Sequence, residues 1–288
     1  MRYHIAKNFE EAARLAATGA GITRFLAGGT DVLVQMRAGM VTPDDLIDLK
    51  RIPGVRDITR LPDGGWQIGV AVSGAELGEH PEIKRDWPGV VEAMELVGST
   101  QVQGRATLTG NLCNGSPAAD SVPALMAARA VVQVTGPKGV RAVPVEDIPA
   151  GPGKTALGRG DVVSAIILPP RGAAGGDAYQ RFIPRTEMDI AVVGCAVNLV
   201  LDGDVISEAR VALGAVAPTV VLVPEAAEVL VGSRWDNAAR LGLDAAARAA
   251  ARPISDKRGT AEFRTELAGV LARRVAEIAY KRAKGERA

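Results

Sequence analysis

Between Arg171 and Asp177 the chain reads Arg171-Gly172-Ala173-Ala174-Gly175-Gly176-Asp177, with no side chain larger than a methyl between the two charged ends. Such a stretch has almost nothing to bury, and its glycines make ordering the backbone unfavourable. It follows a buried-strand pattern, Val162–Leu168, that is closed by Pro169-Pro170. Neither proline can donate to a ladder. A single core cannot run through this segment. The sequence therefore predicts two units, 1–174 and 175–288 joined by a linker at Arg171–Asp177, and 288 residues suffice for two separate cores.

Within the first unit the patterns change every few residues. Met1-Arg2-Tyr3-His4 leads directly into a helical pattern over Asn8–Thr18, with Phe9, Ala12, Ala13 and Leu15 on one face and Gly19 and Gly21 ending it. Arg24–Ala27 and Leu46–Leu49 read as strands around a helix over Asp31–Arg37. This run closes a small lobe of about 1–53, and the second lobe takes about 54–174. The second lobe opens with strands around Pro62-Asp63-Gly64-Gly65, continuing as Trp66–Val70. Helices are predicted from Ser73, over Gly89–Val97 and over Pro123–Ala130, and a hairpin pairs Val131–Thr135 with Val140–Val143. The second unit pairs Ala191–Leu201 with Val205–Leu213 around Asp202-Gly203-Asp204, then turns alanine-rich and helical, ending in a helix over Ala261–Lys281. No evenly spaced βαβαβ series is present, so the class is α+β with small mixed sheets, not a doubly wound sheet.

Composition removes several functions. The net charge of +1 gives no nucleic-acid footprint and no surface for anionic membranes. Two cysteines, Cys113 and Cys195, form no disulfide framework and cannot supply the thiolates of an iron–sulfur cluster. His4 and His80 stand apart from any other residue at metal-ligand spacing, so no metal site is expected. The longest apolar runs, such as Val220–Val223 and Ala191–Val193, are too short for a bilayer, and no opening segment resembles a signal peptide. A cytoplasmic protein without a transmembrane segment is the expectation.

Chemistry enters at Ala27-Gly28-Gly29-Thr30-Asp31-Val32, between a strand and a helix. Paired glycines let the backbone approach a ligand and turn successive N–H groups into one concavity. Thr30 adds a hydroxyl, and the following helix adds its positive end. The same pattern also serves as a plain tight turn. A second glycine-containing segment, Thr107-Leu108-Thr109-Gly110-Asn111, continues to Asp120 and is dense in small residues, hydroxyls and amides. It suits a diphosphate, with Asp120 able to accept from a ribose hydroxyl. Equally, its Asn and Ser side chains can satisfy their own backbone. Neither segment holds a lysine or arginine, so an anionic ligand would be met by backbone donors. Gly151-Pro152-Gly153-Lys154-Thr155 ends like the phosphate loop of nucleotide hydrolases, but the first glycine of that motif falls at Ile148. No G-x-G-x-x-G follows a strand and opens a helix, so a nucleotide site of that type is not supported.

In order and separation these segments resemble the FAD-binding medium subunits of the molybdenum hydroxylases, the group of bacterial xanthine dehydrogenase and aerobic carbon monoxide dehydrogenase. The matching stretches are Leu26–Asp31, Thr109–Asn111 and Ser116–Asp120, then Gly151–Thr155, Arg185–Ala191, Leu213–Pro218 and Ser255–Arg264. The resemblance covers nearly the whole chain. It implies a two-lobed FAD-binding domain of the vanillyl-alcohol oxidase type and a C-terminal α+β domain like that of carbon monoxide dehydrogenase flavoproteins. It further implies that Ala27, Gly28, Gly29, Thr30, Asp31 and Val32, with Thr107, Thr109, Gly110 and Asn111, wrap the FAD diphosphate. Asp120 would meet the cofactor's polar portion. Val97 and Val162 match positions lining the FAD cleft, and Arg181 matches a basic position near the flavin. Ile190 stands at a position beside the isoalloxazine that can hold tyrosine in relatives, so an aromatic gate is not implied.

The role implied is a relay. Electrons would come from [2Fe-2S] clusters on a small partner, pass through FAD and leave to an external acceptor. Hydroxylation would occur on a large molybdopterin-binding partner, in a dimer of heterotrimers. No catalytic acid or base is expected in this chain, and it lacks the cysteine-bearing insertion of relatives that hold a cluster themselves. One alternative is a self-contained flavin oxidoreductase on the same fold, which needs a proton donor beside the flavin; the sequence places no His, Tyr or Cys there. The other is a scaffold without FAD, against which Gly28-Gly29, Asn111 and Asp120 stand.

Overall fold

The computed structural model describes residues 1–286. The first lobe comprises β1 (Arg2–Ile5), α1 (Phe9–Thr18), β2 (Thr23–Leu26), α2 (Val32–Arg37) and β3 (Asp45–Asp48). β1 and β2 both run parallel to the central β3. Parallel strands cannot be joined by tight hairpins, so α1 and α2 serve as crossovers. Asn8 starts α1 by accepting from the Glu11 N–H at 2.8 Å, and Ala12, Ala13 and Ala16 bury against Ile47 and Leu49. Arg2–Ile5 is a strand, whereas the sequence pointed straight to helix. It is an edge strand with Tyr3 and Ile5 exposed, so it carries no buried alternation. Asp45 of β3 holds it, accepting from Arg2 and pairing with His4 Nε2, each at 2.7 Å.

The second lobe contains β4 (Ile58–Arg60), β5 (Trp66–Gly69), α3 (Gly74–Glu79), α4 (Pro81–Asp86), α5 (Pro88–Glu95), α6 (Thr100–Gln103), α7 (Leu108–Cys113) and α8 (Ser121–Ala127). It continues with β6 (Val131–Gly136), β7 (Gly139–Pro144), the short pair β8 (Pro149–Gly151) and β9 (Lys154–Thr155), and β10 (Val162–Leu168). Its main sheet is antiparallel in the order β4-β5-β10-β6-β7. β10 is central, which explains its nearly unbroken apolar sequence. The segment read as a glycine-rich loop is partly helical: Thr107 caps α7, its hydroxyl accepting from the Gly110 N–H at 2.9 Å.

The C-terminal part carries β11 (Gly175–Phe182), β12 (Val193–Asp202), β13 (Val205–Gly214) and β14 (Val221–Leu222), an antiparallel sheet in that order. Three helices follow: α9 (Pro224–Leu230), α10 (Asn237–Ala250) and α11 (Ala261–Ala283). Strand side chains alternate between faces. Cys195, Val197 and Leu199 of β12 join the core under the helices, while Ala196, with Ala212 of β13 and Tyr179 of β11, joins the core of the second lobe. The sheet is therefore covered on both sides. The small alanines on one face let the second lobe approach closely.

The predicted linker is shorter and more firmly held than its composition implies. β11 already begins at Gly175. The Arg171 guanidinium lies 4.4 Å from the Trp87 ring centroid and donates to Asp177 at 2.6 Å, the Asp86 carbonyl at 2.6 Å and Asn198 at 3.1 Å. Gly176 fits under α11 because it has no side chain: a Cβ there would lie 2.1 Å from the Ala279 carbonyl oxygen and 2.4 Å from the Ala283 nitrogen. No helix among the described residues is long and apolar enough to cross a membrane. Replacing Gly176 with Val should push α11 off the sheet and cost about 3 kcal/mol of stability, as overpacking does. Urea unfolding measures this; unchanged stability would show that the contact is loose.

Candidate cofactor site

A cleft of about 520 Å³ opens between the two lobes. The end of β2 delivers Ala27, Gly28, Gly29, Thr30 and Asp31 to its wall, and α2 delivers Val32. From the second lobe come Thr107, Thr109 and Gly110 around the start of α7, and Val162 at the start of β10. The two segments meet backbone to backbone: a Cβ on Gly28 would lie 2.1 Å from the Arg105 carbonyl oxygen. Gly29 has φ +85°, a conformation that favours glycine. Among the described residues, the N–H groups of Gly28, Gly29, Thr30 and Asp31 donate to no protein acceptor. Four successive unspent donors on a concave turn are the chemistry that a diphosphate requires. The buried Thr23 hydroxyl, also in the cleft wall, has no protein partner either. These groups fit a dinucleotide such as FAD.

Other residues singled out in the sequence lie outside this wall. The Asn111 Oδ1 accepts from the Ser121 N–H at 3.1 Å and its hydroxyl at 2.7 Å, fastening α7 to the start of α8. Asp120 is buried and accepts from the Tyr179 hydroxyl at 2.9 Å and from Arg181 at 2.6 Å, so it joins the second lobe to β11. Burial pushes its pKa up to about 6, against the pull of Arg181 and Tyr179. Val97 packs on the second-lobe core, and Ile190 is exposed. Their neighbourhoods touch where the Met188 N–H donates to the Gly98 carbonyl at 3.4 Å. Arg258 fixes the loop before Ile190 by donating to Asp189 at 2.9 Å.

The sequence reading left out several residues of the wall. Arg24, Arg159, Gln35 and Asn114 all line it. The β8–β9 hairpin, rejected as a nucleotide-hydrolase loop but counted in the family resemblance, supports the second segment: the Gly153 N–H donates to the Gly115 carbonyl at 2.9 Å, and Gly153 and Thr155 reach the cleft. Cys113 also opens into the cleft, where no cysteine was anticipated. Desolvation by the surrounding protein pushes its thiol pKa upward.

Residues 1–171 match the family model described as the FAD binding domain in molybdopterin dehydrogenase, and residues 178–279 match the CO dehydrogenase flavoprotein C-terminal domain. The chain belongs to this family. It is 35% identical over 288 residues to the carbon monoxide dehydrogenase medium chain of Afipia carboxidovorans, covering 98% of this chain and 97% of that one. To the putative xanthine dehydrogenase FAD-binding subunit of Escherichia coli K12 it is 30% identical over 285 residues, covering 99% of this chain and 97% of that one. Among solved structures, reconstituted CO dehydrogenase from Oligotropha carboxidovorans superposes with a TM-score of 0.93 at 32% identity, over 98% of both chains. Quinoline 2-oxidoreductase from Pseudomonas putida 86 gives a TM-score of 0.89 at 25% identity, again over 98% of both. The chain is thus a FAD-binding medium subunit of the molybdenum hydroxylase type, a flavoprotein component of a multi-subunit oxidoreductase.

The Asp120–Arg181 pair makes a pH prediction. Replacing Arg181 with Met leaves a buried carboxylate without its cation, which should cost roughly 3–5 kcal/mol when Asp120 is ionised. Its folded-state pKa, already raised, should rise further. The penalty is then present above that pKa and fades as pH falls and the carboxyl protonates. Thermal unfolding of the variant against the parent should show a larger deficit at pH 8 than at pH 5. An equal deficit at both would mean that Asp120 is not the group exposed to the loss.

Proposed function

We propose that the interlobe cleft holds FAD, with its diphosphate against Gly28–Asp31 and the Thr107–Gly110 turn. The chain then relays electrons from [2Fe-2S] clusters on a small partner to an external acceptor. Molybdenum chemistry proceeds on a large molybdopterin-binding partner, in a cytoplasmic dimer of heterotrimers. The run of unspent N–H donors at Gly28–Asp31 carries this reading. When bound, FAD supplies a redox centre that takes electrons singly and gives them up in pairs.

The chain's own residues have three tasks. Gly28, Gly29, Thr30 and Asp31 present N–H groups to negative charge without bringing in a lysine. Phe25, Leu49, Val70 and Val162 keep part of the wall apolar and exclude water there. Third, Asp120, Tyr179 and Arg181 fix the C-terminal sheet against the cofactor lobe. Of the two acids in the wall, Asp161 is held by Arg141 at 2.9 and 2.6 Å and by the Gly158 N–H at 2.7 Å, and Asp31 accepts from Asn114 Nδ2 at 3.1 Å. No histidine or tyrosine lines the cleft among the described residues. This favours a relay over a self-contained flavin oxidoreductase.

Cys113→Phe places a bulky ring in the cleft. The complex purified with this variant should keep its iron and molybdenum, measured by mass spectrometry. Its FAD, measured after heat release, should fall roughly tenfold or more, an effect of at least ~1.4 kcal/mol on binding. Full FAD retention in the variant would place the flavin elsewhere, and iron released with this chain on separation from its partners would overturn the division of cofactors.

A further inference from the structure

The side-chain amide of Asn114 reaches from one lobe to the other. Asn114 caps the C-terminal end of α7. Its Nδ2 donates to Asp31 Oδ1 at 3.1 Å, and its Oδ1 accepts from Gln35 Nε2 at 2.9 Å. These partners are 83 and 79 residues away in the chain, on the first loop and one turn into α2, and all three residues line the cleft. A side-chain amide can present a donor to a carboxylate and an acceptor to a second amide at once, which a carboxylate cannot.

Two observations make this link consequential. α2 has no buried residue, so packing does little to fix it or the loop that leads into it. Beyond the Gly28–Arg105 backbone contact, hydrogen bonds then help set how the Gly28–Asp31 donors face the second lobe. Asp31 also brings a carboxylate into a loop suited to an anion, where like charges repel. Donation from Asn114 turns that carboxylate toward the amide and gives it a partner other than the ligand.

We propose that Asn114 is a positioning residue: with Asp31 and Gln35 it forms a clasp that closes the cleft over the cofactor diphosphate and slows cofactor escape. This rests on the FAD reading above. It assigns retention to a residue outside the glycine pair and the turn at Thr107–Gly110.

The test is the rate of FAD release from the full chain on dilution, followed by the rise of free-flavin fluorescence. Asn114→Ala should release FAD about tenfold faster, a difference of one decade in the off-rate. Asn114→Asp should be at least as fast, since it sets a second carboxylate beside Asp31. Gln35→Ala should have a smaller effect and add nothing in the Asn114→Ala background, because it acts through the same amide. A general loss of stability would make the two changes add. Release from Asn114→Ala at the parent rate, or full additivity with Gln35→Ala, would overturn the clasp. A parent chain that takes up no FAD at all would overturn the FAD reading instead.

Discussion

The cleft exists because the two lobes touch through bare backbone. Gly28 stands where any side chain would strike the Arg105 carbonyl, so the loop after β2 can lie directly on the strand-like approach to α7. That contact puts two short turns, more than seventy residues apart in sequence, on opposite walls of one cavity. It also leaves the N–H groups of the wall residues Gly28–Asp31 without a protein acceptor among the described residues. Unpaired backbone donors are unfavourable when removed from water. A diphosphate is the kind of group that would satisfy several of them together. The fold here creates a need that a ligand meets.

The C-terminal domain depends on a different economy of size. Its sheet turns large residues, Val197 and Leu199 among them, toward its own helices and turns Ala196 and Ala212 toward the cofactor lobe. Close approach then allows polar groups to cross the junction: Tyr179 and Arg181 to Asp120, and Arg210 to Glu146 at 2.9 Å and to the Met126 carbonyl at 3.0 Å. A buried carboxylate with a raised pKa at such a junction is tolerable because the cation and the phenol face it directly. These contacts tie the cofactor lobe to the C-terminal sheet.

Local signals carried well into the structure and distant ones did not. The first loop was visible as a strand, a glycine pair and a helix in succession, and the hairpin around Gly203 as alternation around a turn. The helix α7 was hidden because its six residues include Gly110 and Asn111, poor helix formers, and its order comes from the Thr107 cap. β1 was hidden because an exposed edge strand has no buried face to reveal. Arg171 looked like the border of a flexible linker, yet its partners Trp87 and Asn198 lie far off in the sequence. Asn114 and Gln35 escaped for the same reason. Asp120 and Arg181 could be singled out by resemblance, but their pairing across 61 residues is a property of the packed molecule.

Everything proposed for this chain turns on a cleft that selects a diphosphate. Titration of the flavin-free chain with FAD and with FMN, followed by quenching of flavin fluorescence, tests that directly. FMN lacks the diphosphate bridge, so it should bind at least about tenfold more weakly than FAD, while excess ADP, which carries a diphosphate, should displace FAD. Equal binding of FAD and FMN, or indifference to ADP, would contradict the account.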